Sequence, residues 1–125
     1  MTATTWLLVA AGGACGATLR FALQLVVGRL VTTPFPAAIF AINVIGSAAI
    51  GLLAGAAAGG RFSLSPDGRA FLFAGVLGGF TTFSSFSLDT LQLMRSGAPG
   101  LAALNVAGQV GLSLLAVYAG FRLAS

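Results

Sequence analysis

Residues 74–87 read AGVLGGFTTFSSFS: Gly78 and Gly79 side by side, then Thr81, Thr82, Ser84, Ser85 and Ser87 interleaved with Phe80, Phe83 and Phe86. Glycine, threonine and serine are weak helix formers. Yet this stretch lies inside an apolar run, about residues 70–94, long enough for a helix crossing the bilayer core. A span with a weak centre predicts a broken helix. Breaks persist in lipid only where hydroxyls, neighbouring helices or a cavity satisfy the freed backbone groups. The reading here is a non-helical stretch at about residues 78–82. Its freed carbonyls, facing their copies across a dimer axis, would suit a hard cation such as Na⁺. The three phenylalanines recur every third residue and are expected near one face.

Outward from this centre, further apolar runs cover about residues 4–27, 35–58 and 98–121. Each is near the roughly 20 residues a membrane helix needs. Barrel strands are about ten residues of alternating pattern, so the runs are helices. The breaks between them carry Pro34, then Pro66 with Asp67 and Gly68, then Ser96 and Gly97, all turn signals. Pro36 and Pro99 suit first turns. The expectation is an all-α membrane protein, one four-helix domain over residues 1–125. The first run lacks a basic segment before Trp6 and is read as a span, not a cleaved signal peptide.

Composition excludes the common alternatives. Of 125 residues, 58% are hydrophobic and 6% charged, with six Lys or Arg and two Asp or Glu. A soluble domain carries a much more charged surface, and disorder needs low hydrophobicity. The charges are Arg20, Arg29, Arg61, Arg69, Arg95 and Arg122 with Asp67 and Asp89. Single arginines make no basic patch, so nucleic acid is not a partner; they mark helix ends near lipid headgroups. The chain has no His, and Cys15 stands alone, which leaves little for metal-site or cysteine chemistry.

Placed on four spans, the arginines are nearly balanced. Arg61, Arg69 and Arg122 fall on one side, and Arg29 and Arg95 on the other. Two readings stay open: one orientation set by a weak bias, or insertion both ways as an antiparallel dimer.

The glycine pairs Gly12/Gly16, Gly51/Gly55 and Gly75/Gly79 have the four-residue spacing that lets helix backbones approach closely. Asn43 and Ser47 share one face of the second span; Asn105, Gln109 and Ser113 share one face of the fourth. Amides and hydroxyls in hydrocarbon must face protein or water. They either bond one helix to another or line a path for a small solute. No carboxylate accompanies them at mid-membrane. Aromatic ring edges carry positive potential, so rings turned edge-on can hold a dehydrated anion without trapping it.

At these residues the chain resembles the Fluc (CrcB-type) fluoride channels. Gly12 to Arg20, GGACGATLR, is similar to the family's first-helix GGxxGAxxR. Ile42 to Ser47, INVIGS, is similar to VNxxGS. Gly78 to Phe86, GGFTTFSSF, closely resembles GGxTTFSTF. The resemblance runs in motif order over essentially the whole chain. It implies a dual-topology antiparallel homodimer in the cell inner membrane, with two fluoride pores and a central structural Na⁺. By motif position Phe83 and Phe86 would line the pore and Asn43 would donate to the ion, with Thr82 and Ser84 beside them. Ser113 and Gln109 would continue the polar track, Arg20 would stand at the vestibule, and the Gly78 and Thr81 carbonyls would hold Na⁺. Three positions depart from the family pattern: Ala38-Ile39 for Gly-Thr, Ser85 for threonine, and Asp89 for Glu. The implied activity is passive fluoride export, not catalysis. The alternative is a small multidrug-resistance-type transporter, which needs a membrane-embedded carboxylate that a chain without Glu scarcely offers. A non-transporting scaffold would explain the glycines but not the broken span.

Overall fold

The computed structural model describes Met1–Ser125 and contains helices and no strands. We label them α1 (Ala3–Leu30), α2 (Ala37–Ala58), α3 (residues 66–80), α4 (Phe83–Arg95) and α5 (Pro99–Ala124). Four segments are long and apolar enough to cross a membrane: Ala3–Leu30, Ala37–Ala58, Pro66–Arg95 and Pro99–Ala124. The third contains both α3 and α4. The architecture is an all-α, four-span bundle.

Local chemistry fixes the ends. Thr2 and Thr5 form a reciprocal capping box on α1. Ser65 caps α3 by accepting from the Gly68 amide, with Pro66 in the first turn. The third span therefore starts ahead of its hydropathic stretch, and Asp67, expected in a loop, lies in a helical first turn, where its carboxylate accepts from Thr5 Oγ1 at 2.7 Å. Two helices end in Schellman motifs: Gly60 N–H bonds Ala57 O with Arg61 N–H to Ala56 O, and Gly97 N–H bonds Met94 O with Ala98 N–H to Leu93 O. Both motifs require a left-handed residue, and Gly60 (φ 71°) and Gly97 (φ 79°) provide it. Arg29, Arg95 and Arg122 all sit in last turns, where a cation suits the helix dipole.

The bundle is two glycine-packed pairs: α1 lies along α3, and α2 along α5. A Cβ on Gly12 would stand 2.5 Å from Phe71 O, and one on Gly79 would stand 2.6 Å from Gly13 O. Gly16 faces Val76 O, Gly51 faces Val117 O, and Gly55 faces Phe121 O, each too close for any side chain. Helices meeting backbone to backbone gain the dispersion contacts that drive association where lipid is as apolar as the side chains. The pairs meet through α1–α2 and α4–α5. Ile39, Ile42 and Phe86 form the core there, with Leu23 and Phe80 packed against it. Only 17 of 125 residues are buried, so most apolar surface faces outward, as a membrane chain requires.

The third span differs in detail from expectation. Its start, Pro66–Arg69, is α-helical; Ala70–Leu77 is a π-helix; Gly78–Phe80 is again α-helical. The break is Thr81 and Thr82 alone, both extended (φ −82°, ψ 156°; φ −154°, ψ 118°). Gly78, Gly79 and Phe80, expected in the break, stay helical because Gly79 is seated on the α1 backbone and the Thr81 amide still bonds Leu77 O. Extended residues between Phe80 and Phe83 also interrupt the three-residue period. Phe80 packs on the core, Phe86 is buried, and Phe83 is 76% exposed. The three rings do not share a face.

Candidate functional site

At the break the chain encloses an open cavity of about 460 Å³ between α2, the two halves of the third span, and α5. Asn43, Gly78, Thr81, Thr82, Phe83, Phe86, Gln109 and Ser113 all line it, as does Ser47. Sequence positions far apart thus converge on one volume. Ser84 is exposed outside the lining, with its Oγ 3.2 Å from Thr82 Oγ1. Arg20 lies on α1, half-buried and away from the lining.

Asn43 organises the break. Its Oδ1 accepts from the Thr82 amide (2.9 Å), and its Nδ2 donates to the Thr82 carbonyl (3.0 Å) and to Gln109 Oε1. One side chain therefore replaces the helical bonds that Thr82 has lost, and all its polar atoms are engaged. Thr82 Oγ1 in turn accepts from the Ser85 amide (3.3 Å) and caps α4. The four carbonyls from Gly78 to Thr81 lose their helical donors; the Thr82 N–H that would serve Gly78 goes to Asn43, and the Ser85 N–H that would serve Thr81 goes to Thr82 Oγ1.

Beyond Gln109 the bonding continues into α5 and α4. Gln109 Nε2 donates to Asn105 Oδ1 (3.0 Å), Asn105 Nδ2 to Thr90 Oγ1 (3.0 Å), and Thr90 Oγ1 to the Phe86 carbonyl (2.8 Å). Asn105 shares the Gln109 face by its spacing. Thr90 carries no signal in the sequence: nothing there places it opposite α5.

The rings of Phe83 and Phe86 lie 5.2 Å apart, tilted by 49°, an ordinary aromatic-pair geometry. Phe86 is fixed in the core, and Phe83 stands free. Ser113 Oγ is buried without a hydrogen-bond partner, an unmet donor on the cavity wall. The lining holds no Asp, Glu, Lys or Arg. Such a site offers a small solute amides, hydroxyls and aromatic rings, with no fixed charge to retain it.

Comparison with known proteins agrees with the motif pattern. The family model described as CrcB-like protein, Camphor Resistance (CrcB), matches residues 7–121. A protein of Paramagnetospirillum magneticum named fluoride-specific ion channel FluC is 50% identical over 117 residues, covering 93% of this chain and 91% of that protein. One of the same name from Rhodopseudomonas palustris is 49% identical over 121 residues, covering 95% of each. One from Methylobacillus flagellatus is 45% identical over 118 residues, covering 94% of this chain and 91% of its own. With nearly the whole chain matched, and the second and third motifs meeting around one polar cavity, this chain belongs to the CrcB family.

Proposed function

We propose that the chain is a fluoride-specific ion channel that lets fluoride leave the cytoplasm passively. Fluoride enters cells as neutral HF and ionises inside, so an outward leak driven by membrane potential limits its toxicity. The observation that carries this reading is the cavity: hydrogen-bond donors and aromatic rings on its wall, and no carboxylate. A drug–proton exchanger needs an embedded acid at its site, and neither Asp67 nor Asp89 lines this cavity. The relatives' names describe channels, not catalysts.

An anion crossing here exchanges water for the Ser113 hydroxyl, the remaining Gln109 N–H and the edges of Phe83 and Phe86. Thr82 and Ser84 hydroxyls lie at the same break. Asn43 contributes by holding the break open in one shape. Each contact is weak enough to release the ion, which conduction requires. Arg20, on α1, would act at a vestibule through its field on approaching anions.

The unit is an antiparallel homodimer, inserted both ways in the cell inner membrane. Nearly balanced arginines and an outward-facing Phe83 beside an open cavity support this. A structural Na⁺ at the dimer centre would be held by Gly78 and Thr81 carbonyls from both chains. Those two carbonyls lack their helical donors, and uncharged backbone oxygens are the ligands a hard monovalent cation takes in broken membrane helices. The ion would tie the two chains together.

Purified protein in fluoride-loaded liposomes should release fluoride, read with a fluoride electrode, once a potassium ionophore clamps the potential. Efflux no faster than from empty liposomes refutes the channel. Efflux indifferent to replacing Na⁺ throughout refutes the cation site.

A further inference from the structure

The channel reading explains the residues on the cavity wall but not the two behind it. Asn105 is fully buried, and neither it nor Thr90 lines the cavity. A buried amide in a membrane helix is costly unless its bonds are met, and here they are met in one direction only. The order starts from backbone groups whose identity is unambiguous: the Thr82 N–H can only donate and the Thr82 carbonyl can only accept, so Asn43 must turn its oxygen to one and its nitrogen to the other. Asn43 Nδ2 then meets Gln109 Oε1, Gln109 Nε2 meets Asn105 Oδ1, and Asn105 Nδ2 meets Thr90 Oγ1. Thr90 Oγ1–H donates in turn to the Phe86 carbonyl.

We propose, resting on the fluoride-channel reading, that Asn105, anchored by Thr90, is a positioning residue that ties down the nitrogen end of the Gln109 amide on the cavity wall. Gln109 has two N–H groups and spends one on Asn105. Its carbonyl is turned to Asn43, so the group left for the ion is the second N–H. Ser113, one helical turn on, adds its unpartnered hydroxyl on the same face. Asn43 holds the amide at its oxygen end; without the Asn105 acceptor the nitrogen end is untied, and its second N–H is no longer fixed at one place on the wall. Selectivity for an anion thus depends on a residue the anion never touches.

The test is a double-substitution cycle in liposomes. Asn105→Leu keeps volume and removes the acceptor; Gln109→Met keeps length and removes the amide. Each should lower fluoride efflux roughly fivefold, the rate equivalent of one ordinary hydrogen bond. The double variant should fall no further than Gln109→Met alone, because Asn105 acts only through Gln109. Additive losses would mean Asn105 is packing, and overturn the proposal, as would an Asn105→Leu protein that conducts like the parent. Thr90→Val in the Gln109→Met background repeats the test should Asn105→Leu fail to assemble, with the same two outcomes. A second readout uses ¹⁵N-glutamine labelling, which marks only Gln24, Gln92 and Gln109. Fluoride should shift the Gln109 side-chain resonance in the parent and not in Asn105→Leu. Failure of the parent itself to move fluoride would strike the channel reading; a conducting parent with an unmoved Gln109 resonance strikes this one.

Discussion

Phe83 and Phe86 sit one turn apart but in unlike surroundings, and substitutions at the two should separate. Phe83→Ile removes a ring from an exposed position, so efflux should drop while thermal unfolding in detergent is unchanged. Each lost ring contact is worth on the order of 1 kcal/mol, or several-fold in flux. Phe86→Ile removes the same contact and also disturbs packing on Ile39 and Ile42, lowering stability by about 1 kcal/mol. Phe80→Leu should spare flux and cost only packing. Variants at Phe83 and Phe86 that conduct like the parent would make the rings packing alone. Asn43→Leu should be worse than any of these. It strands the Thr82 amide in a buried site, at a cost of about 1–3 kcal/mol, and amide hydrogen exchange at Thr82 should accelerate. At this scale the sequence was partly legible. The four-residue spacing of Asn105, Gln109 and Ser113 placed them on one face, but that Asn43 would spend its donors on Thr82 and Gln109 depended on where the third span breaks.

Among the helices, backbone contact makes stability depend on hydrogen atoms that only glycine leaves in place. Gly16→Ala and Gly51→Ala put a methyl into a facing carbonyl and should destabilise by more than about 2 kcal/mol, seen as a lower unfolding temperature. Gly28→Ala, which meets nothing within 4 Å, should leave that temperature unchanged or raise it slightly, since alanine favours helix. The sequence disclosed these glycine pairs because their spacing is a local property of one helix. It located the break less well. Weak helix formers extended it over residues 78–82, whereas the α1 backbone holds Gly79 helical and confines extension to Thr81 and Thr82. The π-helical turns of Ala70–Leu77 left no trace at all, because an unremarkable apolar run accommodates either bonding pattern.

For the whole molecule, the balanced arginines predict two orientations. A single engineered cysteine between Gly60 and Ser65, in a variant lacking Cys15, should react with an impermeant reagent from both sides of intact cells. Labelling from one side only would exclude a dual-topology assembly. Four spans and their polarity were readable from hydropathy and turn residues. The pairing of α1 with α3 and of α2 with α5 was not, because hydropathy gives length and says nothing of neighbours.

The interruption at Thr81 and Thr82 gives the third span a second beginning. A fresh helix starts at Phe83 beside the cavity, and its aligned peptide dipoles place about half a positive charge at that end. This potential belongs to the backbone, so no proton can remove it. The cavity wall likewise carries no side chain that ionises near neutrality. Acidification should therefore leave the conducting machinery untouched and act only on the solute, by converting fluoride to HF in the surrounding water. Efflux plotted against free fluoride should fall on one curve from mildly acidic to mildly alkaline buffer, and a residual pH dependence would reveal a titrating group outside the wall, with Asp89 the first to replace.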